Sequence, residues 1–200
     1  MLNAIHQRMV FGRRIRTLAT AIADRLPQDA RVLDVGCGSG ELAQLIMALR
    51  PDVAIQGIDV LVRPDTAIPV EQYDGLHIPH PDGAFDAAIV VDVLHHTDDP
   101  AAVLAEIARV AKAVVIKDHN RDGLAAGVTL RFMDWVGNIS HGVRLPYNYL
   151  SSRQWAGIWR TLGLAPQRTA NHLSLYPRPF SWLFDRKLHF VTTLSASRLA

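Results

Sequence analysis

The stretch RVLDVGCGSG, residues 31–40, decides how the rest of the chain is read. Val32, Leu33 and Val35 form a short apolar run of the kind buried in a sheet, and it breaks into three alternating glycines, Gly36, Gly38 and Gly40. The next residues, ELAQLIMALR, carry helical periodicity as far as the helix-stopping Pro51. Glycines at the end of a strand let the backbone come close to a ligand and take up positive φ at little cost. The helix N-terminus that follows, with Ser39 beside it, offers free N–H groups to a carboxylate or phosphate. Strand, glycine turn and helix in this order point to a nucleotide-like cofactor.

Working outward, apolar spacing alternates between helical and strand-like periods. Ile15, Leu18, Ala19, Ile22 and Leu26 share a helical face that Pro27 closes. Residues 53–58 read as a second strand ending at Asp59, and residues 70–73 as a short third one. The proline-punctuated segment between them, with Pro64 and Pro69, leaves no room for a full crossover helix. FDAAIVV, residues 85–91, is an almost unbroken apolar run, as expected of a central strand covered on both faces. Asp99 and Pro100 form an N-cap and first-turn pair for a helix running up to a fifth strand at residues 113–116. Ser151 and Gln154 form a capping box before Trp155, Ile158, Trp159 and Leu162. Two late strands are expected near residues 167–175 and 187–194, joined by the proline-rich YPRPFSW. The fold class that follows is α/β, a Rossmann-like, doubly wound and mostly parallel seven-stranded sheet closed by a C-terminal antiparallel hairpin.

With 200 residues, nearly half of them apolar, one well-packed domain is expected over residues 1–200. Within it we distinguish an N-terminal helical segment (1–30), a cofactor-binding half (31–120), a lid and acceptor region (121–165) and terminal strands (166–200). A net charge of +2 and a pI near 8.9, without Lys/Arg runs, do not indicate nucleic acid. Cys37 is the only cysteine, which rules out an intrachain disulfide and a CxxC metal site and fits a reducing, cytoplasmic setting. No stretch reaches the roughly 20 apolar residues of a membrane span. Composition leaves the oligomeric state open.

The glycines can be counted in two ways. From Gly38, GSGELA satisfies the dinucleotide pattern G-x-G-x-x-G/A, which would suit a nicotinamide dehydrogenase. From Gly36, GCGSG is the tighter loop of S-adenosylmethionine binders. Asp59, at the end of the second strand, is placed to accept hydrogen bonds from ribose hydroxyls in either class. VLDVGCGSG, GIDV (57–60), YDGLHIPHPDGAFDAAIVVDVLHHTDDP (73–100) and LAEIARV (104–110) together resemble the class I S-adenosylmethionine-dependent methyltransferases, in the small-molecule, type 11-like branch. A dehydrogenase offers no counterpart to DGAFDAAIVVDVLHH.

That resemblance implies S-adenosyl-L-methionine as cofactor, S-adenosyl-L-homocysteine as product and methyl transfer to a small, partly apolar organic acceptor through oxygen, carbon or nitrogen. It implies that Asp34, Gly36, Cys37, Gly38, Ser39 and Gly40 cradle the methionine part, that Asp59 with Val60 holds the ribose, and that Asp74 and Gly75 meet the adenine. Val91 and Asp92 would line the methyl-transfer side. Cys37 is expected to act as a small loop residue and not as a nucleophile. Candidate catalytic groups are His119, whose imidazole could take an acceptor proton, together with His95 and Asp92. His96, Asp118, Asn138, His141, Tyr147 and Tyr149 are candidate acceptor contacts. Arg13, Arg14 and Arg16 are expected to face water, with an anionic acceptor as the alternative, and no metal is expected. A non-catalytic S-adenosylmethionine-binding regulatory or scaffold subunit is the alternative from another class.

Overall fold

The computed structural model describes residues 2–138, 147–178 and 180–197, with side chains from residue 12 onward and excluding 134–138. Asn138 therefore enters only through its backbone, and His141 lies outside the described residues.

The elements follow in the order α1 (Leu2–Ala23), β1 (Arg31–Val35), α2 (Glu41–Leu49), β2 (Ala54–Asp59), β3 (Val70–Gln72) and β4 (Ala87–Val91). A single 3-10 turn (Leu94–His96), α3 (Pro100–Val110), β5 (Ala113–His119), α4 (Ala126–Asn138) and α5 (Ser152–Thr161) come next. The chain then adds β6 (Leu164–Ala170), a one-turn helix α6 (Ser181–Phe184) and β7 (His189–Ala196). Seven strands form one sheet in the order β3-β2-β1-β4-β5-β7-β6. β7 is antiparallel to both β5 and β6, whereas the other pairings are parallel. The expected doubly wound sheet with its reversed hairpin is what the chain forms.

Period-two alternation divides the core. Leu33, Val35, Ala88, Val90 and Ile116 face α3 and α5 with Leu104, Ile107 and Trp155. Val32, Ala87, Ile89 and Val115 face α1 and α2 with Leu18, Ile22 and Ile46. Each buried Val, Leu and Ile side chain among them contributes about 1.5–3 kcal/mol, so the β1–β4–β5 centre is the rigid platform on which the site stands. Asp99 accepts from the Ala101 and Ala102 amides at 3.0 Å, and the Ser151–Gln154 capping box forms.

Several boundaries differ from the sequence expectation. α1 extends back to Leu2 and ends at Ala23, with Leu26 placed in the tightened turns that follow. β5 runs three residues beyond Ile116, because Lys117, Asp118 and His119 remain in register with Val191, Phe190 and His189. β6 begins at Leu164 and not near Gln167: Gly163, at φ +64°, turns the chain directly from α5 into the sheet. Pro166 is tolerated there because β6 is an edge strand, and the register shifts between Pro166 and Arg168.

No helix joins β2 to β3, as the prolines foretold. The short link lies on the glycine loop instead, with the Ala67 amide donating to the Ser39 carbonyl at 2.8 Å. Ile68 packs so closely that a Cβ on Gly40 would stand 2.5 Å from its Cγ1.

Candidate active site

Gly36, Gly38 and Gly40 have φ of +70°, +58° and +75°, a region that side-chain-bearing residues rarely adopt. A Cβ on Gly36 would stand 2.5 Å from Val93 Cγ2, so the loop fits closely against the chain leaving β4. Cys37 tucks its Sγ against Gly57, which leaves no space for a side chain at that position of β2. Burial, followed by the charges of Asp34 and Asp59, pushes the Cys37 thiol up to about 12, so it stays protonated near neutral pH. It is a packing residue of the loop.

Two carboxylates organise this end of the sheet. Asp59 Oδ2 accepts from the Gly38 amide at 2.8 Å and its Oδ1 from the Leu61 amide at 2.9 Å, tying the glycine loop to the end of β2. Asp34 is only 3% exposed, and burial, then the nearby Asp59, raises its carboxyl to about 7. A cationic amine brought beside it would relieve that penalty. α2 starts from Gly40 with no side-chain cap, so its first N–H groups are left for a ligand. Positive-φ glycines, an uncapped helix end and a buried carboxyl calling for a cation fit the amino acid end of S-adenosylmethionine. Val60 is exposed and packs near Gly75, itself at φ +93°. Asp74 holds its own turn, accepting from the Leu76 and His77 amides at 2.7 and 2.6 Å and pairing with His77 Nδ1 at 2.7 Å. His77 first, then those amides, lower its carboxyl to about 2.

A dense polar cluster lies across the ends of β4, β5 and β7. Asp92 follows Val91 at φ +57° and its side chain meets Arg14 of α1 and Lys117 of β5. Burial alone would raise the Asp92 carboxyl, but Lys117 and then Arg14 hold it well below the usual range. Lys117 is fully buried and reaches His189 Nδ1 at 3.3 Å. This corrects the expectation for Arg14: Arg13 and Arg16 are exposed, while Arg14 turns inward because Asp92 offers a countercharge.

On the other side of the cluster, His95 Nδ1 lies 2.7 Å from Asp118 Oδ1, and both residues are buried. The same oxygen accepts from the His119 amide at 2.7 Å and lies 3.3 Å from His119 Nδ1. The His119 ring is 3.5 Å from Asp92 Oδ1, and burial, then Lys117, pulls its pKa down to about 4. Asp92, His95, Asp118 and His119 present ligand atoms within 4.8 Å of one another. A metal ion there would compete with the two cations already on Asp92.

Among the acceptor candidates, His96 stacks against His95 with ring centroids 4.1 Å apart. Tyr149 is buried over His95 at 5.1 Å and donates its hydroxyl to the Leu130 carbonyl at 3.2 Å. Tyr147 lies further out beneath the Arg131 guanidinium. Asp118 is brought to the site as the partner of two histidines, with no exposed face. Lys117, His189 and Tyr176, whose ring lies 5.9 Å from that of His189, are site neighbours to which no sequence motif points. A lysine inside the apolar run VVIKDH was the one available signal.

A doubly wound sheet with a glycine loop after β1, an acidic residue ending β2 and polar side chains at the ends of β4 and β5 defines a nucleotide-cofactor enzyme of the α/β class. The methyltransferase-domain family profile matches residues 5–169, and the chain belongs to that family, within the class I S-adenosylmethionine-dependent methyltransferases. It is 30% identical over 183 residues to 27-O-demethylrifamycin SV methyltransferase of Amycolatopsis mediterranei, an alignment covering 82% of this chain and 65% of that protein. The chain thus spans just under two thirds of that relative's length.

Among solved structures, a Haloferax volcanii methyltransferase in complex with its Trm112 activator superposes with a TM-score of 0.69 at 16% identity, over 96% of this chain and 94% of that one. The Burkholderia thailandensis 1,6-didemethyltoxoflavin-N1-methyltransferase, with bound 1,6-didemethyltoxoflavin and S-adenosylhomocysteine, gives 0.64 at 19% identity, over 92% and 78%. At these identities the structural likeness speaks for the fold. Among the described residues no helix is long and apolar enough to cross a membrane.

Proposed function

We propose that this chain transfers a methyl group from S-adenosylmethionine to a hydroxyl of a small, partly apolar organic acceptor, with His95 as the base and Asp118 orienting it. The observation that carries the reading is the buried 2.7 Å contact between His95 Nδ1 and Asp118 Oδ1 across the ends of β4 and β5, one turn beyond the strand end that carries Asp92. A carboxylate on Nδ1 holds the proton there and leaves Nε2 as the basic nitrogen, the arrangement a hydroxyl acceptor needs. His119 is less suited as base, because a pKa near 4 makes its imidazole a weak proton acceptor. Its part is to help hold Asp118 in place. The O-methyl chemistry in the name of the Amycolatopsis relative supports a hydroxyl acceptor.

When bound, S-adenosylmethionine supplies an activated methyl on a sulfonium that already carries its leaving group. Asp34 would meet the α-ammonium, the amides around Gly38 and the start of α2 the carboxylate, and Asp59 with Val60 the ribose. Asp74 and Gly75 would meet the adenine, and Val91 and Asp92 the methyl side. Tyr149 stacks on His95 and walls the base from water, while Trp155 donates its indole N–H to the His119 carbonyl at 3.0 Å and holds the end of β5. Exclusion of water and alignment of the acceptor supply most of the acceleration in a displacement of this type. We also read the chain as one domain whose 121–165 region selects the acceptor, acting in the cytoplasm.

The test is S-adenosylhomocysteine release with a panel of phenolic and macrocyclic alcohols beside their amine analogues. Turnover with alcohols, lost in His95→Ala, supports the reading, and turnover confined to amines overturns it.

A further inference from the structure

Charge is divided unevenly along this chain. Residues 1–120 carry eleven Lys/Arg and sixteen Asp/Glu, whereas residues 121–200 carry ten Lys/Arg and only three Asp/Glu. Two of those three acids are turned to backbone amides: Asp122 accepts from Ser152 N at 2.8 Å, and Asp185 from Leu175 N and Tyr176 N at 3.2 Å. The basic half also exposes large apolar side chains. Leu124, Val128, Trp182 and Leu183 are 94%, 73%, 69% and 49% exposed. Leu124 stands two residues before α4 and Val128 in its first turn, and Trp182 and Leu183 lie on α6. Arg186 joins the two elements, donating from its guanidinium to Thr129 Oγ1 at 3.3 Å and to the Leu183 carbonyl at 3.0 Å. Val128 and Leu183 therefore flank one contact between α4 and α6, with Leu124 and Trp182 exposed next to them along the chain and Arg178 and Lys187 exposed beside α6.

We propose that this α4–α6 face docks on an anionic lipid membrane, its Leu, Val and Trp side chains entering the headgroup boundary and its Arg and Lys side chains pairing with lipid phosphates. Exposed apolar side chains with cations beside them match an interface that is greasy within and negative at its surface. A nucleic acid would use the cations but gain nothing from exposed Leu and Val. A cavity of about 230 Å³ opens on this face between Val128 and Arg131 and reaches Tyr149, whose ring stacks on His95. The surface proposal does not depend on methyl transfer.

The full chain is sedimented with vesicles of pure phosphatidylcholine and with vesicles containing about one quarter phosphatidylglycerol, at low and high salt. Trp182→Ser/Leu183→Ser and Arg178→Glu/Lys187→Glu are run in parallel, with the thermal midpoint and S-adenosylhomocysteine affinity measured on each. Binding to the anionic vesicles that weakens with salt and drops about tenfold or more in both variants, with midpoint and affinity unchanged, is the expected result. Absence of binding to anionic vesicles, binding unchanged in either variant, or a self-association in solution that the Trp182/Leu183 variant abolishes would each overturn it. Loss of S-adenosylhomocysteine binding in the wild type would instead count against the cofactor reading alone.

Discussion

His95 and Asp118 lie 23 positions apart in the chain, yet their side chains meet at 2.7 Å in a buried setting, because parallel pairing of β4 with β5 brings the two strand ends together. A carboxylate that fixes the tautomer of a neighbouring imidazole gives that ring a direction as well as a proton affinity. His119 shares the same carboxylate oxygen but is pulled down to about 4 by burial and by Lys117.

Replacing His95 with Ala is expected to lower turnover by about 10²–10⁴ while S-adenosylhomocysteine affinity holds. Asp118→Asn should retain the fold and lose turnover in proportion to the mis-set tautomer, with the pH profile flattened on its acid side. Steady-state kinetics with calorimetry of cofactor binding check both. A His95→Ala enzyme with full turnover at every pH would remove the base from this position.

Asp34 should make cofactor binding depend on pH. Its folded pKa, about 7, lies above the unfolded value of 3.8, so the stability it contributes is complete below about 4 and is lost as pH rises through 7. Asp34→Asn should therefore be more stable than wild type at pH 8, with the difference closing towards pH 5 in denaturant titrations. Ionised Asp34 is the form that holds an ammonium, so wild-type affinity for S-adenosylhomocysteine should fall about tenfold per pH unit below 7. An affinity independent of pH between 5 and 8 would contradict the assignment.

Gly36→Ala forces a Cβ to within 2.5 Å of Val93 Cγ2 at a φ of +70°. We expect a loss of about 1–3 kcal/mol in thermal or denaturant unfolding. Adding Val93→Ala should restore only part of it, since the clash is relieved and the backbone strain is not. Full restoration by the double variant would show that φ is unimportant there.

Asp59→Ala removes the acceptor of the Gly38 and Leu61 amides. Loss with it of a ribose hydrogen bond to a charged group, about 1.5–3 kcal/mol, predicts cofactor affinity weaker by roughly 10- to 100-fold. Unchanged calorimetric affinity would remove Asp59 from the cofactor site.

Much of the frame is legible from local pattern. The glycine loop, the run FDAAIVV, the Asp99 cap and the Ser151 capping box each encode their structure within a few residues. Even the missing helix between β2 and β3 shows in Pro64 and Pro69. The start of β6 does not, because Pro166 reads as a strand breaker until its edge position is known.

The sequence by itself determined the doubly wound architecture and the cofactor loop, because periodicity, glycine and proline act over neighbouring residues. Only the tertiary structure decided that Arg14 closes on Asp92 from 78 residues away, that Lys117 lies buried between Asp92 and His189, and that Asp118 serves His95. A polar side chain at a strand end carries no periodic signal. Its partner is chosen by which strands the β3-β2-β1-β4-β5-β7-β6 order makes adjacent, and by the need of each buried charge for a countercharge.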